Sequence, residues 1–198
     1  MPALKEERTV VIVKPDGVKR GLTGEIIRRI EQRGLKIIAL KMMWATKEQM
    51  DAHYPKDHEW ITGLGTNTSR AYEEYKVDAT LKDDFGTEDL FEIGTMVRQW
   101  LVNYMSGGPV VKMIVSGLHA IPMVRKIVGH TIPSFADMGT IRGDFSVDSP
   151  ALANAQRRAL HNLVHASGNA AEAENEIQLW FSPEDLHDYK RAEEDIMF

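Results

Sequence analysis

The chain contains no cysteine in 198 residues. This excludes disulfides, thiolate zinc sites and cysteine nucleophiles, and it suits a reducing compartment, so a cytoplasmic location is expected. No apolar run approaches the ~20 residues a bilayer span needs. The opening Met-Pro-Ala-Leu-Lys-Glu-Glu-Arg has no apolar signal core, so no membrane partner is expected and the Asn67-Thr68-Ser69 sequon carries little weight. Excess positive charge is also missing. A net charge of -5 and a pI of about 5.8 argue against a broad nucleic-acid-binding face, while a local basic pocket remains open. The Gly-x4-Gly-Lys-Ser/Thr phosphate loop and the protein-kinase signatures are absent. The acidic cluster Asp78, Asp83, Asp84, Glu88, Asp89 and Glu92 lacks calcium-loop spacing and reads as a solvated face. There are no repeats or low-complexity tracts.

What is present suits a single domain, long enough to bury roughly 70% of its unfolded surface. Arg8 to Lys14 is β-branched and continuous, the pattern of a central strand buried on both sides, and Lys14-Pro-Asp-Gly17 turns the chain at its carboxyl end. Thr23 is expected to cap a helix reaching about Arg33, with Ile26, Ile27 and Ile30 on one face and Gly34 as its stop. Leu35 to Trp44 reads as a second strand, and Thr46 to Tyr54 as a short helix closed by Pro55. From Lys56 to about Arg98 the chain turns polar yet keeps Trp60, Tyr72, Tyr75, Phe85 and Phe91. This stretch is expected to be a folded insertion of short helices and turns, punctuated by Gly63, Gly65 and Gly86. A helix over Val97 to Met105, a buried strand over Val110 to Val115 and a helix over His119 to Val128 follow. The long loop Thr131 to Phe145 is expected to be functional, and Ser146 to about Ala155 to be a polar link. Ile177 to Phe181 reads as the fourth strand, and Pro183 as the start of a last helix. The order β-α-β, insertion, β-α, loop, β-α predicts an α+β, ferredoxin-like split βαβ fold: a four-stranded antiparallel sheet with helices across one face.

The chemistry gathers around Asn162-Leu-Val-His-Ala-Ser167. Small residues leave one side of His165 open, and Glu176 follows eleven positions later, able to fold back onto the ring. An imidazole of ordinary pKa ~6.5 is largely uncharged near neutrality, and a carboxylate on one nitrogen fixes the tautomer of the other. Lys14, Arg125 and Arg142, with Thr131, Tyr54 and Asn162, form a set rich in cations and hydrogen-bonding groups. Such a set suits a polyphosphate, because phosphoryl transfer needs mainly alignment and charge stabilisation. His161 and His165 could share a helical face, but no third ligand has suitable spacing, so no protein-held metal is expected.

These residues closely resemble the nucleoside diphosphate kinase family. The resemblance runs through Lys14-Pro-Asp-Gly17, Arg20-Gly21, Gly24-Glu-Ile-Ile27, Gly107 to Val111, Gly139-Thr-Ile-Arg-Gly-Asp-Phe145, Asn162-Leu-Val-His-Ala-Ser167, Glu176 to Phe181 and Pro183-Glu184. It leaves out roughly 57–97 and 147–158, which are expected to be insertions in a single domain spanning 1–198. It implies a ping-pong kinase of broad base specificity in which His165 is phosphorylated. Glu176 would bond the other ring nitrogen, Ser167 would orient the ring, and Lys14 and Tyr54 would flank the transferring group. Arg125 and Thr131 would hold the middle phosphate, Arg142 the bridge and terminal phosphate, and Asn162 the ribose, with Lys14 near the sugar hydroxyl. Mg2+ would be held mainly by the nucleotide's own phosphates. The partners implied are ATP and other nucleoside tri- and diphosphates, and further copies of the chain, as hexamers ahead of tetramers. The chain departs from the family pattern at Ala166 and Gly168, which replace Gly and Asp, and at Ile132 and Met138 in the loop. Counted back from Leu101 without a gap, Val97 takes the place of a base-stacking Phe. Trp60, Phe85 and Phe91 are the alternatives. A nucleotide sensor that never takes up phosphate and a phosphohistidine relay to another protein are the rival readings. An insertion acting as a lid and one acting as an assembly contact are both open.

Overall fold

Strand β1 (Glu6–Val13) carries the fold because its apolar residues serve two cores at once. Val11 and Val13 point into one cluster and Val10 and Ile12 into the other, as the two-residue period of a strand dictates. All four are fully buried. The computed structural model describes residues 6–77, 79–192 and 194–197. Asp78 of the acidic cluster and the opening residues 1–5 lie outside the described residues.

After β1 come α1 (Pro15–Lys19), α2 (Thr23–Gln32), β2 (Lys36–Trp44) and α3 (Lys47–His53). Then follow α4 (His58–Glu74), α5 (Leu81–Phe85), α6 (Leu90–Met105), β3 (Pro109–Leu118) and α7 (Ala120–Val128). The chain continues through α8 (Ile141–Phe145), α9 (Pro150–Ala155), β4 (Val164–Ala166), α10 (Ala170–Trp180) and α11 (Glu194–Met197). The sheet runs β2-β3-β1-β4 with every pair antiparallel, the ferredoxin-like order. No helix among the described residues is long and apolar enough to cross a membrane.

Several expectations are corrected. Helices cover both faces of the sheet, not one. Ile26 and Ile30 of α2 and Val124 and Val128 of α7 pack on the first face, and Met50 of α3, Val102 and Met105 of α6 and Trp180 of α10 on the second. Strands β1 and β3 are apolar on both sides, so neither face can be left to water. The fourth strand is Val164–Ala166, around His165, while Ile177 to Trp180 forms the last turn of α10. A five-residue apolar run does not reveal its own period. Ala173, Glu176 and Trp180 are the buried face of that helix, at spacings of three and four. Thr23 is the first helical residue of α2 rather than its cap, and Leu22 precedes it without a side-chain bond. Gly34, at φ +85°, does stop that helix. The polar link contains α9, and Pro183 opens only a 3-10 turn over Pro183–Asp185.

The polar stretch after Lys56 is not built of short helices alone: α4 has 17 residues and α6 has 16. Gly65, expected to mark a turn, lies inside α4 at its crossing with α6. A Cβ there would stand 1.9 Å from the Leu90 carbonyl oxygen, and one on Gly94 would stand 1.9 Å from that of Ile61. Only glycine lets the two backbones approach this closely.

Candidate active site

Strand β4 places His165 opposite Ile12 of β1. Its short length follows from the backbone before it, where Leu163 has φ +71° and both flanking units are tied. The Leu163 N–H donates to Asp16 Oδ2 at 3.1 Å, and its carbonyl accepts from the Lys14 N–H at 2.8 Å. A non-glycine residue in this region persists only where its surroundings over-determine it, and such strain gathers at functional sites.

His165 Nε2 lies 2.7 Å from Glu176 Oε1, and the Ser167 hydroxyl donates to Glu176 Oε2 at 2.7 Å. Ser167 itself accepts the Val10 N–H at 3.1 Å. Ser167 therefore orients the carboxylate, and the carboxylate orients the ring. Glu176 comes from α10, so the helix misread as a strand is what delivers the carboxylate. Burial, followed by the nearby charges of Lys14, Arg142 and Arg125, holds the His165 pKa well below the ordinary histidine range. A ring so disfavoured as a cation is neutral near pH 7, and its bond to a carboxylate calls for the proton to sit on Nε2. Nδ1 has no hydrogen-bond partner among the described residues.

The ring lines a cleft of about 830 Å³ that also takes in Lys14, Tyr54, Arg125, Thr131, Arg142, Asn162 and Glu176. Only Ser167, of the residues predicted for the site, lies behind the wall, fully buried. Lys14 Nζ donates to Asn162 Oδ1 at 2.6 Å, and Asn162 Nδ2 donates to the Thr131 carbonyl at 2.8 Å, which links three walls. Burial, then Arg142, pushes Lys14 down to about 8. Arg142 is buried and donates to the carbonyls of Asn162, Gly129 and Val164 at 3.1, 2.9 and 2.6 Å. It braces the backbone on either side of Leu163 as well as facing the cleft. Arg125, by contrast, is exposed, and its guanidinium has no hydrogen-bond partner among the described residues.

Two cleft residues escaped sequence reasoning. His53 meets His165 edge-on at 4.7 Å, and its Nδ1 accepts the Trp180 Nε1–H at 3.1 Å. Burial pushes it down to about 3, so it is neutral. Its only signal was adjacency to Tyr54. Glu172 lies one turn before Glu176 on the same face of α10, and burial and the Glu176 charge raise its pKa. Reading 170–180 as a helix would have found it. Of the aromatic candidates, Trp60 lines the cleft, 6.1 Å from the Tyr54 ring. Phe85 and Val97 pack instead with Tyr72 and Ile93, and Phe91 stacks on His58 at 4.6 Å.

Ligand atoms of His53, His165 and Glu176 lie within 4.8 Å of one another, yet they are engaged with each other and with Trp180 and Ser167. His161 stacks on Tyr104 at 5.0 Å rather than sharing a helical face with His165.

The model of the family described as "Nucleoside diphosphate kinase" matches residues 7–61 and 93–186. The chain belongs to the nucleoside diphosphate kinase family. A nucleoside diphosphate kinase from Pyrobaculum aerophilum is 48% identical over 180 residues, 91% of this chain and 97% of that protein. One from Archaeoglobus fulgidus is 38% identical over 192 residues, 97% of each. The crystal structure of an NDP kinase from Pyrobaculum aerophilum superposes with a TM-score of 0.88 at 45% identity, covering 93% of this chain and all of that one. A nucleoside-diphosphate kinase from Borrelia burgdorferi, a transition-state mimic with bound vanadate and ADP, superposes at 0.75 with 35% identity, covering 96% and 95%. As a nucleoside diphosphate kinase family member, the chain is a phosphotransferase.

Proposed function

We propose that the chain moves the terminal phosphate of a nucleoside triphosphate to a nucleoside diphosphate in two half-reactions through phosphorylated His165. The observation that carries this reading is the Ser167–Glu176–His165 chain of hydrogen bonds, which occupies Nε2 and leaves Nδ1 unpartnered among the described residues, beside three cations. Nδ1 attacks the γ-phosphorus as the bond to the β-bridging oxygen breaks and the diphosphate leaves with that electron pair. The charge on the phosphorylated ring is balanced by Glu176. A second diphosphate then attacks through its terminal oxygen, the P–N bond breaks, and the neutral imidazole returns.

Lys14, Arg125 and Arg142 supply positive charge to the phosphates, Arg125 with a guanidinium that has no partner among the described residues, and Tyr54 and Thr131 line the same space. Asn162, held between Lys14 and Thr131, is our candidate for the ribose. Mg2+ comes with the nucleotide: both Glu176 oxygens are engaged, so the donor set suits a metal bound through substrate phosphates. Trp60 is the base platform, and stacking on a π-face with contacts to phosphate and sugar supports broad base specificity. The segments 57–97 and 147–158 are insertions in one domain. The chain works as a homo-oligomer in the cytoplasm. Leu40, Met42 and Trp44 on the edge strand β2 are 50%, 59% and 63% exposed, an apolar border that favours self-association and is readable from a solution mass.

The test is a chase. Protein incubated with γ-labelled ATP takes up acid-labile label, which leaves quantitatively onto any unlabelled nucleoside diphosphate. His165→Ala takes up none yet still binds nucleotide. Label that stays on the protein until another protein is added, or is never taken up, contradicts the reading.

A further inference from the structure

Arg98 sits on α6, outside the cleft lining, with its side chain 11% exposed. Its guanidinium is almost fully used. Nε–H donates to the Pro55 carbonyl at 2.9 Å, Nη2 to the carbonyls of Asp51 at 2.8 Å and Tyr54 at 3.0 Å, and Nη1 to Asp51 Oδ1 at 2.8 Å.

The Asp51 and Tyr54 carbonyls are among those α3 leaves open as it ends, and Pro55 is the first residue beyond its cap. Tyr54 turns extended with ψ 127°, and Pro55 has no N–H to offer back. A helix carboxyl end also favours a cation. The planar fork of arginine can collect several carbonyls at once, which a lysine ammonium cannot hold in the same geometry.

The end of α3 presents two rings to the nucleophile. His53 lies edge-on to His165 at 4.7 Å, and Tyr54 packs edge-on to His53 at 4.9 Å. Arg98 thus grips the peptide units on both sides of these rings. We propose that Arg98 is a positioning residue for phosphoryl transfer, holding the end of α3 so that His53 and Tyr54 keep His165 and the transferring group in line. This rests on the reading of His165 as the phosphorylated residue.

Arg98→Met keeps an aliphatic stem and offers no N–H; Arg98→Lys keeps the charge without the fork. Single-turnover transfer from γ-labelled ATP onto His165, KM for the diphosphate and the melting temperature are measured for each variant, alone and with Tyr54→Phe. The transfer rate is expected to fall roughly ten-fold in Arg98→Met, within the ~100-fold that a misplacement of about 1 Å can cost, while KM moves less than about two-fold. Arg98→Lys loses less. With Tyr54→Phe already present, Arg98→Met costs much less than it does alone, because the two act on one contact. A lowered melting temperature with unchanged transfer, or equal losses in both backgrounds, overturns the proposal and leaves Arg98 as a helix-end stabiliser. Should Arg98→Met fail to fold, Arg98→Lys carries the same comparison. Wild-type protein that takes up no label on His165 removes the underlying reading instead, and the role of Arg98 with it.

Discussion

An imidazole attacks only when uncharged, and under the proposed mechanism the surroundings of His165 meet that need. Burial and three cations depress its pKa, while Glu176 Oε1, 2.7 Å from Nε2, favours the tautomer with its proton there. Lys14 is depressed too, to about 8, so its charge is lost progressively as the pH rises through that value. The free-enzyme kcat/KM, corrected for the nucleotide's own titration, should therefore show no acid limb at the ordinary histidine value of ~6.5. It should decline above pH about 8 as Lys14 discharges. A limb centred near ~6.5, or a flat profile through the titration of Lys14, contradicts this assignment of charges. At this scale the sequence was most informative where chemistry demands residue types in fixed local strings, as in Asn162 to Ser167 or at Lys14. It was mute about His53 and Glu172, whose roles come from a ring and a carboxylate brought in from other parts of the fold.

Among the elements, the instructive error is Ile177 to Trp180. The run is apolar at nearly every position, so a strand and a helix turn predict the same letters. What decides is Asn169, whose side chain accepts the Glu172 N–H at 2.9 Å and starts a helix ten residues before the run ends. β4 escaped notice for the opposite reason: three residues are too few to show alternation. In α4 and α6 the glycines misled, since Gly65 reads as punctuation and is in fact a contact surface. Gly94→Ala tests this. Its Cβ would meet the Ile61 carbonyl oxygen at 1.9 Å, so the helices must separate. A loss of roughly 1–3 kcal/mol is expected, as for an overpacked core. For a chain of this length that is a fall of several °C, about 2–4 °C for each kcal/mol, in a thermal melt. An unchanged melt shows that the crossing can relax without cost.

At the scale of the whole molecule, the α+β class and the first three strands were legible because β1 and β3 announce two-sided burial and the connections alternate between strand and helix, whereas the fourth strand was placed on what is the end of α10. The second helical layer was not, since nothing in the linear order says where α3, α6 and α10 come together. That layer delivers Glu176, His53, Tyr54 and Arg98, so the half of the molecule hardest to read is the half that surrounds the proposed nucleophile. In the proposed reaction this arrangement serves one covalent event. The most direct test is mass spectrometry, under alkaline conditions that preserve phosphohistidine, of protein mixed briefly with ATP and of the same sample after excess GDP. One phosphoryl group on the peptide containing His165, gone after GDP, is the predicted result. An adduct on any other side chain, or none before GDP is added, contradicts the account.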